Sequence, residues 1–544
     1  MNEKEVNDGE KDKGHATSNG EAQKEGTGET DENNRKYHSG LRLWILTFGL
    51  AMTTFVVALD NTIIATAIPK ITAVFDSLGD VGWYGSAYLV TSTSLQPSFG
   101  KVYSYFNVKR TYLSALTVFE VGSILCAAAT SSEMLIIGRA IAGCAAAALF
   151  SGGMTIIGYS VPLHRRAIYM AALYSMYGIA SVVGPILGGA FTDRISWRWC
   201  FWINLPFGGV AMATVFFFFQ NPKRHANITA RQKFEQVDII GAFFLISAIV
   251  CLLLALQWGG STYPWSNPKV WGCLLAFGLI IIVFFLSQWR FQERATIPPR
   301  ILLHQRTVLS SALVSLFLAM GTYTHSYYLP FYFQAVQNTS ASESGIRCLA
   351  YVLSVTCASL LVGALITWLG HFTPFAYLGT ALFTAGSGLL YTLGSASPPR
   401  AWIGYQIAAG LGAGATVQVP FIAVQAALPE RDMPTGNAVA IFFNTLGGAV
   451  AISVAQNVFV NTLAAEVGGR VPGLDPSRVV GVGATELRDA APPQALEGVL
   501  EAYAKAVRMA FVLPVVTGGL AALCSLLMEW KSTKGKGSVQ ASGT

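Results

Sequence analysis

Charged side chains are rare inside the apolar stretches of this sequence, and two that occur there have the chemistry to handle a proton. Asp60 lies in the first apolar stretch and Arg139 lies in the fourth. A carboxyl group away from bulk water can be neutral when protonated and charged when it is not, as a proton carrier must be. Arginine keeps its charge and can hold a carboxylate in the ionised form. We therefore interpret Asp60 and Arg139 as proton-coupling residues; a static contact that pins two helices together is the structural alternative.

Glu120 is a third candidate for proton coupling, because it lies in the middle of the third apolar stretch. Placing a charge at the centre of a membrane helix costs about 2.5–3.5 kcal/mol on insertion scales, so a carboxyl group there needs an explanation. Glu120 could relay protons, bind a cationic substrate or make a structural hydrogen bond. The sequence leaves these three alternatives open.

Uncharged amides inside the apolar stretches are candidates for lining a substrate cavity. Each amide either faces such a cavity or hydrogen-bonds to a neighbouring helix, and for a single amide the second is the more common. The cavity candidates are Asn61, Gln96, Gln418, Gln425, Asn444 and Gln456.

The composition indicates a membrane protein. Hydrophobic residues make up 53% of the 544 residues and charged residues only 12%, whereas an ordinary soluble domain has about 25% charged residues. The net charge of +7 forms no basic face with interleaved aromatics, which argues against nucleic acid as a partner. We find no nucleotide-binding loop, His/Glu cluster or CxxC spacing. We therefore expect neither an enzyme nor a metal or cofactor site, and an ion gradient would have to drive any pumping.

About fourteen apolar blocks are long enough to cross a bilayer, since a spanning helix needs roughly 20 apolar residues. This predicts an all-α integral membrane protein. Lys and Arg collect in alternate short loops, so the positive side is expected to face the cytosol, together with both termini. The blocks lie near residues 42–68, 83–105, 112–130, 134–160, 167–191, 199–219, 237–258, 270–290, 308–333, 345–369, 373–394, 402–427, 436–460 and 508–530.

Two glycosylation sequons fall on opposite sides of this map. Asn338 begins one in a predicted external loop, and Asn227 begins one in a predicted cytoplasmic loop. Only an external sequon can be modified, so Asn338 is the glycosylation candidate.

Small residues recur at fixed spacing in the fifth apolar stretch. Gly178 is followed by Gly184, Pro185, Gly188 and Gly189. Positions 184 and 188 share one helix face, and glycine there lets another helix approach closely. Pro185 removes a backbone hydrogen bond and permits a kink. The spacing by itself predicts a packing hinge.

Together these motifs resemble the major facilitator superfamily, specifically the fourteen-spanner drug:proton antiporters of fungi. The stretch Leu59–Pro69 resembles the first-helix motif of that group. Arg139 with Gly143 is similar to its fourth-helix motif, whose arginine the family links to proton transfer. The fifth-stretch glycines and Pro185 resemble its antiporter motif, and Trp197–Pro206 is similar to the start of its sixth helix. The resemblance covers about residues 42–530.

The resemblance implies two six-helix bundles with two extra central helices, and alternating access that exports amphipathic small molecules (a toxin, secondary metabolite or drug) as protons enter. We expect a monomer in the plasma membrane, with the vacuolar membrane as the alternative. The implied segments are a disordered cytoplasmic tail at 1–40, a first bundle at 41–220, an insert at 221–306, a second bundle at 307–530 with an external loop at 461–507, and a cytoplasmic tail at 531–544.

The chain departs from the family pattern in the loop after the second helix. That loop motif usually carries Asp at its fifth position and Gly at its eighth, where this chain has Ser104 and Asn107. The departure weakens the expectation of a gating charge network at this loop. The run Asn221–Arg224 also lacks the Pro-Glu-Ser-Pro-Arg pattern of sugar importers.

Two rival functions remain at this stage. A carrier of basic amino acids or siderophores would have the same fold. A membrane receptor or polytopic enzyme would belong to another class, against which the missing catalytic clusters and the fifth-stretch glycines argue. The sequence does not reveal the substrate, because apolar cavity walls and apolar packing faces look alike in one dimension.

Overall fold

The computed structural model describes residues 40–77, 80–221, 231–232, 236–260, 263–395, 397–471, 474, 479 and 495–534. Within these residues the chain is helical, and the only bridge pairs are two isolated ones, Gly259 with Tyr263 and His371 with Ser532. Almost all of the predicted terminal tails, and the sequon at Asn227, lie outside the described residues.

The first half follows the order of the first six predicted blocks. Asn107 begins α3 by accepting a hydrogen bond from the backbone N–H of Arg110 at 2.9 Å, and Ser131 begins α4 in the same way with Met134. The short α6 and the following α7 together make one span. The helices are α1 Leu41–Phe75, α2 Val81–Tyr105, α3 Val108–Ala127, α4 Ser132–Ser160, α5 Leu163–Arg194, α6 Trp199–Trp202 and α7 Asn204–Phe218.

A helical hairpin forms the insert between the halves. Helix α8 spans Ile239–Trp258 and helix α9 spans Pro268–Phe291. Asp238 begins α8 by accepting from the N–H of Gly241 at 2.6 Å. Asn267 begins α9, which has proline at its first position. A 3₁₀ turn and the one-turn helix α10, Pro299–Leu302, lead to the second half.

The helices of the second half are more often interrupted. Helix α11 continues into a π-helical turn at Tyr332–Val336, and α12 ends at Gly370, whose φ is +81°. The helices are α11 Arg306–Phe331, α12 Ala341–Leu369, α13 Thr373–Tyr391, α14 Pro399–Thr416, α15 Val419–Ala427, α16 Met433–Arg470, α17 Leu496–Ala510 and α18 Val512–Ser525.

Helices occupy both ends of the range 461–507, which the sequence pattern assigned to a loop. Charged residues of these two helical ends pair with one another within α16 and between α16 and α17. Arg470 binds Glu466 at 2.9 Å and Glu501 at 2.6 Å, and Lys505 binds Glu466 at 2.6 Å. Such pairs let α16 and α17 extend beyond the apolar core.

Eleven helical segments of the described chain are long and apolar enough to cross a membrane. Three further helices, α2, α3 and α13, correspond to predicted spans but are less apolar. Some of the hydroxyl groups in α2 and α13 are satisfied within the helix: Thr91 donates to the Ala87 carbonyl at 2.9 Å, and Thr380 donates to the Ala376 carbonyl at 2.7 Å. A helix can therefore carry such residues without presenting an unpaired polar group to its neighbours.

The helices pack as two bundles joined along two seams. In the first half α5 and α7 lie on α1, while α2 and α3 lie on α4; in the second half α16 and α18 lie on α11, and α12 and α13 lie on α14. The halves meet where α2 packs on α16 and where α5 packs on α12, and α8 of the insert contacts both α2 and α16. This is the predicted fold of two six-helix bundles with two extra helices.

Candidate functional site

The two charged candidates of the first half form an ion pair with each other. Nη1 of Arg139 on α4 lies 2.5 Å from Oδ2 of Asp60 on α1, and both side chains are 0% exposed. Nε of Arg139 donates to the backbone oxygen of Tyr84 on α2 at 2.9 Å. A fully buried carboxylate and guanidinium stabilise each other only while both remain in place.

An asparagine and a serine complete the surroundings of Asp60. Asn204, in the first turn of α7, donates from Nδ2 to Oδ1 of Asp60 at 3.0 Å and to Oγ of Ser123 on α3 at 3.1 Å. We call Asp60, Arg139, Asn204 and Ser123 the buried polar cluster. Among the described residues, Nη2 of Arg139 and Oδ1 of Asn204 have no hydrogen-bond partner. The cluster therefore keeps one spare donor and one spare acceptor beside the carboxylate.

Tyr88 covers the guanidinium from the other side. Its ring centroid lies 4.5 Å from Cζ of Arg139, and its hydroxyl donates to the backbone oxygen of Val57 on α1 at 3.3 Å. A ring at this distance attracts a cation whether or not a carboxylate is present. Arg139 thus has a second partner that does not depend on the charge of Asp60.

Glu120 lies next to this cluster but outside the ion pair. It is on α3, three residues before Ser123, and its carboxyl group lies against Gly208 of α7, four residues after Asn204. Both carboxyl oxygens are enclosed and lack a hydrogen-bond partner in the described part of the chain. A structural hydrogen bond, one of the three alternatives for Glu120, is thus not formed in this state.

Two glycines of the fifth-helix motif bring α5 against α1 directly after Asp60. A methyl group on Gly188 would lie 2.5 Å from the backbone oxygen of Ile63, and one on Gly184 would meet Thr62. Thr62 also donates to the Ala180 carbonyl of α5 at 3.1 Å. The backbones of α1 and α5 therefore touch within one helical turn of the ion pair.

The remaining motif residues lie on other faces of α5. A methyl group on Gly178 would lie 3.0 Å from Oγ1 of Thr356 on α12, so this glycine faces the second half. Pro185 is exposed, and a methyl group on Gly189 would meet nothing within 4 Å. The motif therefore serves two contacts, α5 with α1 and α5 with the second half.

Aromatic side chains from both halves meet between the bundles, and we call them the aromatic cluster. Tyr174 of α5 lies 5.2 Å from Phe421 of α15 and 6.3 Å from Phe150 of α4, between ring centroids. The hydroxyls of Tyr177 on α5 and Tyr323 on α11 lie 3.2 Å apart. All but Phe421 are only half-buried. These rings form a contact between the halves that is both polar and apolar.

The predicted cavity amides are found in different surroundings. Gln418 is buried and exchanges two hydrogen bonds with Ser359 of α12, at 2.8 and 2.9 Å. Gln425 contacts Arg166 at 3.4 Å and Asn437 at 3.3 Å, where α5, α15 and α16 meet. These two amides have a packing role in this state, and their place in a cavity stays a prediction.

Three other cavity candidates take less part in hydrogen bonding. Gln96 is 1% exposed, and its amide nitrogen has no partner in the described residues. Asn61 is half-buried beside Asp60, and Asn444 is half-buried one turn before Gly448, whose backbone lies against the Tyr323 ring. Asn444 therefore lies on α16 one turn from the contact with Tyr323 of the aromatic cluster.

The glycosylation candidate Asn338 is exposed and has a φ of +54°, a conformation that asparagine tolerates. It follows the π-helical turn of α11. Its modification stays a prediction. In the described residues no group of three or more His, Cys, Asp or Glu is placed to hold a metal ion.

Asn204, Ser123 and Tyr88 were missed as site residues by sequence reasoning. Asn204 entered only as part of the sixth-helix motif, and a buried amide in an apolar helix was the one available signal for it. Ser123 and Tyr88 gave no signal, because serine and tyrosine are common in membrane helices and their partners come from distant parts of the chain.

Two helical bundles of similar architecture, with a buried ion pair in one and an aromatic seam between them, define a polytopic membrane transporter. A family model described as Major Facilitator Superfamily matches residues 50–452. The chain belongs to this family.

Curated relatives match almost the whole chain. The MFS-type efflux pump MFS1 of Arthroderma benhamiae is 46% identical over 500 residues, covering 92% of this chain and 93% of the relative. The efflux pump roqT of Penicillium rubens is 46% identical over 492 residues, covering 90% and 91%. The MFS-type transporter astH of Aspergillus oryzae is 44% identical over 509 residues, covering 93% and 90%.

A solved structure supports the fold. The human organic anion transporter MFSD10 (TETRAN) superposes with a TM-score of 0.58 at 14% identity, covering 90% of this chain and all of that one. At this identity the likeness concerns the fold alone.

Proposed function

We propose that this transporter exports amphipathic small molecules, and that it takes up a proton on Asp60 for each cargo released. The observation that carries the proposal is the fully buried ion pair of Asp60 with Arg139. A carboxyl group in this position changes its contacts whenever it gains or loses a proton. The names of the relatives as efflux pumps support the direction of transport.

Protonation of Asp60 removes the charge that holds Arg139. The guanidinium then keeps Tyr88, the Tyr84 carbonyl and the more distant backbone oxygen of Asp60, at 3.4 Å, as partners, so the contact between α1 and α4 weakens. Because Gly184 and Gly188 couple α1 tightly to α5, a shift of α1 moves α5 as well. Helix α5 faces α12 of the second half, so protonation of Asp60 alters the contact between the halves.

Glu120 is the second proton carrier in this proposal. It lies one turn from Ser123, whose hydroxyl shares Asn204 with Asp60. The Glu120 carboxyl group is the neighbouring group that can take up a proton released from Asp60, because the Asn204 amide and the Ser123 hydroxyl cannot hold one near neutral pH. Unpartnered carboxyl oxygens inside a membrane bundle are best explained by such a transient occupant.

The aromatic cluster suggests an uncharged cargo with flat rings. Stacking surfaces and the hydroxyl pair of Tyr177 and Tyr323 suit an aromatic molecule with a few polar groups. None of the five side chains in the cluster is charged, whereas a basic amino acid would need a carboxylate nearby. This favours a toxin or secondary metabolite over a basic amino acid.

We further propose that the protein works as a monomer in the plasma membrane, with both termini in the cytosol. The distribution of Lys and Arg in the short loops supports this orientation. The bilayer, protons and the cargo are the only partners that the proposal requires.

The test is efflux of an uncharged aromatic dye, Nile red, from membrane vesicles with an imposed pH gradient. The wild type should expel the dye faster with the gradient than without it, and Asp60→Asn should lose this acceleration. Asp76→Asn is the matched control, because it makes the same change at an exposed position of the same segment. The proposal is contradicted if gradient-driven efflux survives in Asp60→Asn. It is also contradicted if the wild type shows no gradient-driven efflux.

A further inference from the structure

The connector between the insert and the second half, residues 292–305, carries charged side chains that contact the second half. Nε of Arg300 donates to Oε1 of Glu293 at 2.7 Å, and its Nη2 donates to Oδ2 of Asp432 at 2.7 Å. Asp432 directly precedes α16. The hydrogen bonds that Arg300 donates to Glu293 and Asp432 raise the pKa of Arg300 above its ordinary value. One arginine therefore ties the connector to the start of α16.

The same connector also contacts the first half. Lys101, near the end of α2, is 4% exposed, and its Nζ donates to the backbone oxygen of Glu293 at 2.6 Å. A buried ammonium group that has a carbonyl partner is expensive to separate from it. A short stretch of chain thus holds α2 on one side and α16 on the other.

Helices α2 and α16 touch closely at this place. A methyl group on Gly100 would lie 2.9 Å from Cα of Thr435 and 2.6 Å from Cβ of Ala438. The hydroxyls of Ser104 and Thr435 lie 3.1 Å apart. The seam between the halves is therefore closed at the Tyr105 end of α2.

The insert holds the connector in position. Oδ2 of Asp238, at the start of α8, accepts from Nε2 of Gln288 on α9 at 2.9 Å and from the N–H of Thr296 at 3.1 Å. Oε1 of Gln288 accepts from the N–H of Ile297 at 2.9 Å. Both insert helices are thus bonded to the backbone that follows Glu293, and the connector cannot move without them.

We propose that Glu293, Arg300, Asp432 and Lys101 form a latch that keeps the halves closed at the Tyr105 end, and that the two-helix insert is the frame that carries it. The loop after α2 has Ser104 where the resembled motif has a carboxylate. The latch brings carboxylates to the same seam from the connector and from the start of α16. It does not depend on the cargo or on proton coupling.

The latch is suited to opening in every transport cycle. The side chains of Arg300 and Glu293 are 44% and 62% exposed, and that of Asp432 is 14% exposed. Exposed ion pairs are weak, so losing one should change the ratio of closed to open molecules only about two- to five-fold. A stronger contact here would trap the transporter in one state.

The test measures closure of the seam by disulfide formation between Ser104→Cys and Thr435→Cys in the full-length protein in membranes. After mild oxidation, the linked peptide is quantified by mass spectrometry. Adding Asp432→Arg, or Arg300→Asp, should lower its yield about two- to five-fold through lost attraction and like-charge repulsion. Combining Arg300→Asp with Asp432→Arg should restore at least half of the loss, because the pair is rebuilt with its charges exchanged.

Arg294→Asp is the matched control, because Arg294 lies in the same connector, is exposed and has no partner among the described residues. It should leave the yield unchanged. Monodisperse elution in detergent verifies that each variant is folded. The latch is refuted if the disulfide yield of the exchanged pair is as low as that of the single variants. It is also refuted if the single variants change the yield no more than Arg294→Asp does. Either result leaves the proposed efflux function untouched, since the assay involves no transport.

Discussion

The buried pair in the first half and the latch at the Tyr105 end have nearly the same contact distances and differ in exposure. Arg139 and Asp60 lie 2.5 Å apart with no exposed surface, whereas Arg300 and Asp432 lie 2.7 Å apart with 44% and 14% of their side chains exposed. Removing one partner of a buried pair leaves an uncompensated charge, and removing one partner of an exposed pair leaves a hydrated one. Similar geometry can therefore serve two purposes: a charge that responds to a proton and a contact that opens easily.

The largest expected effect of this difference is on stability. Arg139→Gln should lower the free energy of unfolding by about 3–5 kcal/mol, because Asp60 stays buried without its counter-charge. Arg300→Gln should lower it by less than about 1 kcal/mol. Thermal unfolding of the purified protein in detergent compares the two.

A double variant tests whether the unpaired charge of Asp60 causes the loss of stability in Arg139→Gln. Asp60→Asn combined with Arg139→Gln should recover most of the stability lost in Arg139→Gln, while efflux stays absent. If Arg139→Gln is no less stable than Arg300→Gln, the buried pair does not have the energetic role given to it here.

The close contact of α5 with α1 should give the next largest effect. Gly188→Leu forces the helices apart beside Asp60 and should destabilise the protein by about 1–3 kcal/mol and abolish efflux. Gly189→Leu adds the same side chain one position along the helix, where a methyl group meets nothing within 4 Å. Unfolding and dye efflux should be near wild type in that control; equal losses in both variants would show that the α1 contact is not what matters.

The ring of Tyr88 should contribute less to stability than the buried ion pair does. Without the ring, the buried guanidinium of Arg139 loses its cation–π contact. Tyr88→Leu should therefore lower the free energy of unfolding by roughly 0.5–2 kcal/mol, measured by thermal unfolding in detergent. Tyr88→Phe keeps the ring and should keep the stability; an equal loss in both variants would assign the effect to the hydroxyl group instead.

Salt should give the smallest effect, and of the two compared pairs it should act on the latch. The Debye length falls from about 10 Å at 0.1 M salt to about 3 Å at 1 M, and screening acts mainly on exposed charges. The yield of the 104–435 disulfide should therefore fall by less than about five-fold at high salt. The stability difference between wild type and Arg139→Gln should not change, and a large change would mean that water reaches the buried pair.

The sequence predicts the buried pair better than the latch for a physical reason. Charges such as Asp60 and Arg139 are conspicuous in apolar helices, and the spacing of Gly184 and Gly188 identifies a close contact. The latch residues Glu293 and Asp432 lie far apart in the chain, in segments where charges are common, so their types give no sign of a partner.

Uncharged partners were equally hard to predict. The role of Asn204 depends on how α7 packs against α1 and α3. The spacing of residues within one helix does not determine this packing. Block length predicts α2 and α13 as spans although hydroxyl groups lower their hydropathy, and the structure shows that some of those groups bond within their own helix. One-dimensional patterns thus find helices and buried charges, and contacts between distant segments require the fold.

Counting protons shows whether Asp60 exchanges a proton for cargo. Nile red is added to purified protein in weakly buffered detergent solution, and the pH change is recorded for wild type, Asp76→Asn and Asp60→Asn. Dye binding should release protons from the first two proteins and none from Asp60→Asn, which should still bind the dye. Equal proton release from Asp60→Asn and the wild type would rule out this role of Asp60.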